Sequence, residues 1–210
     1  MNVIDAIEAT LPQVQTMGAS GVRLAPSRIS EEIAFWQNGA LKESDPTAYQ
    51  RLQKYWNNVG VSHWTPSGTA WSGAFISYIL RQSGFPGSGL HSAYAEAIAA
   101  GNAPGWVAYS IPKNQGRFKL QPGDVLVAPR GGSGALGRGD VVWQVQGGQA
   151  LLVGGNMGHS VKVSRQIPID AQGFPTSSIS DYKIILKKKD NTLKWYALAA
   201  LVIVLVWSER

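Results

Sequence analysis

The sequence predicts an α+β protein, because helix-type patterns fill its first half and short β-type runs fill its second. The change comes at Gly105, after which apolar runs alternate with turns rich in glycine and proline. Helices followed by a block of strands favour an antiparallel sheet over alternating βαβ units. With 210 residues, of which 44% are hydrophobic and 15% charged, the chain can bury one compact core.

Four helices are predicted in the main domain from apolar residues at helical spacing and from terminal Asp, Pro or Gly signals. They lie in residues 28–36 and in the stretches DPTAYQRLQKYWNNVG, AWSGAFISYILRQSG and SGLHSAYAEAIAAG. In the first of these stretches Asp45 is the predicted cap, with Pro46 in the first turn and Gly60 at the end. A short amphipathic helix and a linker are predicted before them, in residues 1–26.

The predicted strands are short apolar runs bounded by turn sequences such as QPGD and QGGQ. They are RFKL, DVLVAP, DVVWQV, ALLVGG, SVKVSRQIPI and YKIILKK.

The third helix is predicted to present Ser72 in its first turn. A nucleophile at this position would gain from the positive end of the helix dipole. The apolar residues that follow, Phe75, Ile79 and Leu80, are predicted to pack against the sheet. The alternative is that Ser72 is only a small residue at a helix start, with a role like that of an N-cap.

Composition excludes several classes of function. The net charge is +6, but residues 1–182 carry 13 Lys and Arg against 11 Asp and Glu, so most of the excess lies in the last 28 residues. A basic stripe across a folded face is therefore not indicated, and no nucleic-acid partner is predicted. The chain has no cysteine, which excludes disulfides and thiolate metal sites. No cofactor and no metal are predicted.

Residues 189–210 are predicted to be a basic linker and a C-terminal membrane anchor. The uncharged run WYALAALVIVLVW, residues 195–207, follows a lysine cluster and has aromatic residues at both ends. A helix of this length spans roughly 20 Å, less than the ~30 Å of a hydrocarbon core, so a packed terminal helix is the alternative. The N-terminal stretch MNVIDAIEATL lacks the pattern of a signal peptide. These features predict a single C-terminal span with the main domain on the cytoplasmic side.

Several motifs, in order, carry a resemblance to a known superfamily. AWSGAFISYILRQSGF is similar to the nucleophile helix of CHAP and NlpC-type cell-wall amidases, with Ser72 where those enzymes have cysteine. LQPGDVLVAPR resembles their strand opening, and ALLVGGNMGHSVKVSRQIPID a later strand pair. The resemblance covers residues 27–188 and implies a papain-like domain of helices followed by an antiparallel sheet.

The chain looks most like an uncharacterised bacterial and phage branch of that superfamily, in which serine commonly replaces the cysteine. In that branch a segment F-x-x-S-x-x-H-x-x-Y follows the helix, and here it is Phe85, Ser88, His91 and Tyr94.

The chain departs from the superfamily at the catalytic histidine. The resemblance places that histidine at the start of the strand after PGD, where this chain has Arg138, and arginine cannot act as a general base. The third polar residue maps to Asn156. Either His91 or His159 could still serve Ser72 as a base if the fold brings one of them within hydrogen-bond distance.

Four residues are predicted to line a binding site: Trp71, Tyr94, Arg138 and Asp140. Arg138 is expected to lie across the cleft from Ser72, where its cation would bind a carboxylate or another anionic group. Asp140 is expected to form a salt bridge with Arg138. Trp71 is either part of the core and cleft wall or a surface on which a ligand stacks.

The resemblance implies a membrane-anchored, cell-wall-associated domain related to peptidoglycan amidases and endopeptidases. If active, it would hydrolyse peptidoglycan with Ser72; the alternative is a catalytically inactive binding or structural module. The expected partners are peptidoglycan or its fragments, a lipid bilayer, and capsid or membrane proteins. Because a cytoplasmic domain cannot reach peptidoglycan, the internal membrane of a phage virion is the location at which such a protein could act during infection.

Overall fold

In a computed structural model of the protein, residues 25–114, 117–130 and 135–189 are described, and they form four α-helices and one six-stranded sheet. The helices are α1 (Ala25–Phe35), α2 (Pro46–Asn58), α3 (Ser72–Leu80) and α4 (His91–Ala99). The strands are β1 (Trp106–Ser110), β2 (Val125–Pro129), β3 (Leu136–Gln146), β4 (Gln149–Gly154), β5 (Lys162–Pro168) and β6 (Ile184–Lys188). The predicted α+β class, with helices first and strands afterwards, is confirmed.

All strand pairs are antiparallel, in the order β1-β6-β2-β3-β4-β5. Strand β1 was not among the predicted strands, although its residues alternate between buried and half-buried. The predicted strand RFKL is wrong. Phe118 and Leu120 are buried there, but the Leu120 N–H donates to the Gly173 carbonyl in a loop, 2.9 Å away, and not to a neighbouring strand.

The four helices begin and end near the predicted signals. At the start of α2 the Thr47 N–H donates to Asp45 Oδ1 at 2.9 Å, with Pro46 in the first turn. After α3 a short 3₁₀ segment, Arg81–Ser83, ends at Gly84, whose φ of +74° is the left-handed conformation that favours glycine.

The sheet buries both faces. Val125 and Val127 of β2 pack in the core between sheet and helices, whereas Leu126 and Ala128 pack in a second core on the far face. Phe75, Ile79 and Leu80 of α3 belong to the first core, which contains 28 buried residues of the described part of the chain. Their predicted burial is confirmed, and it fixes which way the first turn of α3 faces.

Two of the C-terminal lysines take part in the folded domain. Lys187 Nζ contacts the Asp124 carboxylate and donates to the Lys119 carbonyl at 2.9 Å, and Lys188 Nζ donates to the Ser83 carbonyl. Of the helices in the described part of the chain, none combines the length and the apolar character that a membrane span requires. The predicted anchor in residues 195–207 and the predicted N-terminal helix lie outside the described residues.

Candidate functional site

Ser72 is the first residue of α3, and its hydroxyl is not a cap. The N-cap position is Trp71, which makes no side-chain capping hydrogen bond. The first N–H groups of an α-helix have no partner within the helix, so the start of α3 offers backbone donors beside the Ser72 hydroxyl. Ser72 is 8% exposed. The helix start therefore combines a nearly buried hydroxyl with local positive potential.

The base candidate His91 lies against this hydroxyl. Ser72 Oγ and His91 Nε2 are 2.7 Å apart, a normal hydrogen-bond distance. The other ring nitrogen, His91 Nδ1, contacts the hydroxyl of Tyr94, one turn further along α4. Ser72, His91 and Tyr94 thus form a continuous buried chain of three polar side chains.

Contacts with α3 fix the loop between α3 and α4 in the position that brings His91 against Ser72. A Cβ on Gly73 would lie 2.3 Å from the Gly89 carbonyl oxygen, so only glycine permits the loop to cross the helix start there. Ser77 of α3 binds the loop twice, since its Oγ donates to the Ser88 carbonyl at 2.8 Å and accepts the Ser88 N–H at 3.0 Å. Ser88 Oγ in turn accepts the N–H of Leu90 at 3.0 Å.

Aromatic and glycine neighbours fix the two rings of the site. Phe85 packs edge-on against Tyr94, with ring centroids 4.9 Å apart. On the sheet side, a Cβ on Gly139 of β3 would lie 2.6 Å from His91 Nδ1 and 2.9 Å from Tyr94 Oη. All four residues of the F-x-x-S-x-x-H-x-x-Y segment therefore build the site, including Ser88 through its bonds to α3.

The site keeps His91 uncharged at neutral pH. Burial lowers the pKa of His91 to about 4, and the nearby positive charge of Arg130 contributes to this lowering. Burial, together with the negative charge of Asp140, holds the pKa of Tyr94 well above its usual range, so the phenol keeps its proton. A neutral imidazole has one bare nitrogen, which can accept a proton.

The second histidine candidate has a different partner. His159 Nδ1 lies 2.7 Å from Glu43 Oε1, and the other carboxylate oxygen of Glu43 accepts the Trp71 indole N–H at 2.6 Å. Asn156 and His159 both have left-handed backbones, with φ of +56° and +65°. The structure does not bring Asn156 or His159 into hydrogen-bond contact with the Ser72–His91 pair.

A cleft of about 320 Å³ opens beside the start of α3. It is lined by Glu43, Ser67, Gly68, Thr69, Ala70, Arg130, Asn156, Gly158 and His159. The lining includes Ala70, two residues before Ser72 in the chain, but neither Ser72 nor His91. Asn156 and His159 thus lie on its wall rather than at the Ser72–His91 contact.

Arg138 does not lie across the cleft from Ser72, and that part of the prediction is wrong. Adjacent residues of a strand point to opposite faces, and Gly139 faces His91. Arg138 and Asp140 therefore point to the far face of the sheet. There Arg138 Nη2 donates to Asp181 at 2.8 Å, and Asp140 Oδ2 accepts the Tyr182 hydroxyl at 2.7 Å.

The expected ion pair between Arg138 and Asp140 is loose, with Nε and Oδ2 4.0 Å apart. Of the two aromatic candidates, Trp71 is fully buried and stacks on Trp36 at 5.1 Å between ring centroids. Tyr94 is also fully buried. Neither ring is a surface on which a ligand could stack. Trp71 belongs to the core, which was one of the two roles expected for it.

Three contributors to the site were not predicted: Glu43, Arg130 and Gly139. Glu43 is distant in sequence from the residues that it joins, and no motif marks it. Gly139 stands between two charged residues in a strand, and such a glycine indicates close approach by another group. The described residues contain no cluster of His, Asp and Glu able to hold a metal ion.

Comparison with known protein families gives a match over most of the described domain. Residues 60–199, two thirds of the chain, match the model of a family described as uncharacterized protein conserved in bacteria. The matched range contains α3, α4 and the whole sheet, hence every residue of the Ser72–His91–Tyr94 chain. No curated protein and no solved structure matches the chain.

Proposed function

The chain belongs to the DUF2272 family of bacterial proteins, and from its site we propose that it is a serine hydrolase of acyl bonds. Ser72 is the nucleophile and His91 is its general base. The observation that carries the proposal is the 2.7 Å contact between Ser72 Oγ and a buried histidine nitrogen. A structural serine at a helix start needs no such partner.

The reaction follows from this pair. As Ser72 Oγ attacks the substrate carbonyl carbon, His91 Nε2 takes the hydroxyl proton. The first N–H groups of α3 are donors for the oxyanion that forms. His91 then gives its proton to the leaving group, which leaves an acyl-serine. Water, deprotonated by the same nitrogen, hydrolyses that ester and restores the hydroxyl.

The protonation state of His91 supports a base role at neutral and mildly acidic pH. With a pKa near 4, the imidazole is already bare at pH 7. Such a weak base has a smaller driving force for taking the serine proton than an ordinary histidine would have. Catalysis therefore requires that the imidazolium formed on His91 be stabilised in the transition state.

The substrate that we propose is an amide bond of peptidoglycan. This part rests on the resemblance to NlpC and CHAP amidases. The same proposal includes anchoring through residues 195–207 at a membrane, for which the internal membrane of a phage virion is the candidate. A protein that ends at Asp190 retains β6 and its lysine contacts and should lose membrane binding. Salt-resistant membrane partition of the full chain, lost on this truncation, tests the anchor.

Covalent labelling with a fluorophosphonate tests the nucleophile without knowledge of the substrate. The reagent should modify Ser72 in the wild-type protein and not in Ser72→Ala, as measured by intact mass and peptide mapping. Ser67→Ala is the matched control, because Ser67 lines the adjacent cleft. Absence of Ser72 labelling would indicate the inactive module instead.

The absence of cysteine allows a second test. Ser72→Cys introduces the only thiol of the chain, and His91 should lower its pKa by accepting the proton. The pH dependence of alkylation by iodoacetamide should therefore be shifted to lower pH than in Ser67→Cys. Adding His91→Ala should abolish the shift. An unshifted alkylation profile in Ser72→Cys would argue against a base role for His91.

Release of soluble fragments from purified sacculi tests the substrate separately. Release that is lost in Ser72→Ala supports the amidase. Labelling of Ser72 without any release would retain the hydrolase and exclude peptidoglycan as its substrate.

A further inference from the structure

We propose that Tyr94 is the positioning residue of this site: its hydroxyl oxygen accepts the His91 Nδ1–H and so leaves Nε2 bare toward Ser72. The proposal rests on the proposed function, in which Nε2 is the base. It assigns Tyr94 to the place that a carboxylate or amide fills in other nucleophile–histidine systems.

A neutral imidazole has one N–H, and in this site each ring nitrogen contacts a hydroxyl. One hydroxyl must therefore donate to His91 while the other accepts from it. If Ser72 donates, Nε2 is the acceptor and the nucleophile can be deprotonated. If Tyr94 donates, Nε2 carries the proton and cannot act as base. The tautomer of His91 thus decides whether the resting site is competent.

Two charges lie close enough to influence this choice. The positive charge of Arg130 contributes to the lowered pKa of His91, and the negative charge of Asp140 contributes to the raised pKa of Tyr94. Asp140 follows Gly139 on β3 and points to the far face of the sheet, and its Oδ1 is buried without a hydrogen-bond partner among the described residues. By its charge alone, without a hydrogen bond, Asp140 favours the orientation in which the positive end of the Tyr94 O–H dipole points toward it. The phenol oxygen then presents its lone pairs to His91 Nδ1.

Tyr94 is held firmly enough to act in this way. Its side chain is fully buried, so water does not compete for its hydroxyl. Phe85 packs against one side of the ring, and the i, i+3 spacing on α4 sets its distance from His91. Tyr94→Phe therefore removes one oxygen from a site whose packing stays the same.

The tautomer can be measured directly by ¹⁵N NMR of the histidine ring at pH 7, and this needs no turnover. In the full-length protein we expect a protonated Nδ1 and an unprotonated Nε2 for His91. Tyr94→Phe should shift the population toward the Nε2–H form. The matched control is Tyr49→Phe, since Tyr49 is exposed and stacks on Trp64, away from the site.

The same variant has a kinetic signature. If a substrate is turned over, Tyr94→Phe should lower kcat by at least about tenfold, with little change in KM; a wrong-tautomer histidine costs roughly 10⁴-fold in serine proteases. An Nε2–H tautomer in the wild-type protein, or a His91 spectrum unchanged in Tyr94→Phe, would overturn the proposal. If Ser72 proves unreactive while Nδ1 is protonated as expected, the proposed function fails and the positioning role stands.

Discussion

His91 and His159 are both close to polar partners, yet they occupy opposite kinds of environment. His91 is buried, between two hydroxyls, and uncharged. The His159 side chain is 67% exposed and bound to a buried carboxylate, Glu43. The first arrangement leaves an imidazole nitrogen beside the Ser72 hydroxyl. The second uses the ring to satisfy a carboxylate that also holds Trp71. A histidine is therefore a candidate base when one of its ring nitrogens contacts a hydroxyl that could act as a nucleophile. A polar partner of another kind, such as the Glu43 carboxylate, is insufficient.

The largest expected effect separates the two histidines directly. His91→Ala should reduce labelling of Ser72 by a fluorophosphonate by at least about a thousandfold, because the hydroxyl loses its proton acceptor. His159→Ala should leave the labelling rate within a few-fold of wild type. Rates are measured by intact mass over time. Equal losses in the two variants would remove the distinction between them.

Acid should destabilise the protein through His91. Its folded pKa of about 4 lies below the unfolded value of about 6.5, so the unfolded chain takes up the proton first. The stability from keeping His91 neutral is complete above pH 6.5 and is lost as the pH falls toward 4, by about 3 kcal/mol in all.

Urea unfolding between pH 7 and pH 4 measures this loss. His91→Gln should show a shallower decline in the free energy of unfolding, because this variant lacks the titrating imidazole while the carboxylates of the protein still titrate. An equally steep decline in His91→Gln would assign the acid sensitivity to those carboxylates.

The contact between Gly139 and His91 can be tested by adding one methyl group. Gly139→Ala places a Cβ against His91 Nδ1, His91 Cε1 and Tyr94 Oη, so the ring must move. We expect a stability loss of about 1–3 kcal/mol and slower labelling of Ser72. Gly105→Ala is the control, since a Cβ there meets nothing within 4 Å. Normal labelling in Gly139→Ala would show that the pair tolerates displacement.

The smallest expected effect concerns Arg130. Because its charge only adds to burial in lowering the pKa of His91, Arg130→Gln should raise that pKa slightly, without restoring the usual value. A histidine NMR titration measures the change. Arg117→Gln, also at an exposed arginine, should leave the His91 titration unchanged. A fall in the pKa of His91 would show that Arg130 does not act through its charge.

Local patterns predicted much of the fold. The caps and glycines around α2 and α3 gave helices near their observed limits, because these signals act within a few residues. The buried face of α3 was also predictable from its spacing of apolar residues. The strand predicted at RFKL is wrong because alternating apolar residues indicate buried side chains, and a buried loop segment gives the same pattern as a strand.

The site was only partly predictable. The sequence singled out Ser72 and the F-x-x-S-x-x-H-x-x-Y segment, whose residues lie together in the structure, but only distance in space separates His91 from His159. Arg138 was misplaced because a strand position was inferred from a motif without regard to which face it occupies. One residue along β3 exchanges the helical face for the far face. Glu43 carries no local signal at all.

The crossing of Gly89 over Gly73 has a consequence for robustness. It places Ser72, His91 and Tyr94, the proposed nucleophile, base and positioning residue, within a single helix–loop–helix unit that closes through contacts between near neighbours in sequence. A base carried on a strand would be lost whenever that strand paired one residue out of register, since its side chain would turn to the other face. Here the sheet contacts His91 and Tyr94 through Gly139, which has no side chain. The contact between Ser72 and His91 can therefore survive changes of strand sequence and length that would disrupt a pair divided between helix and sheet.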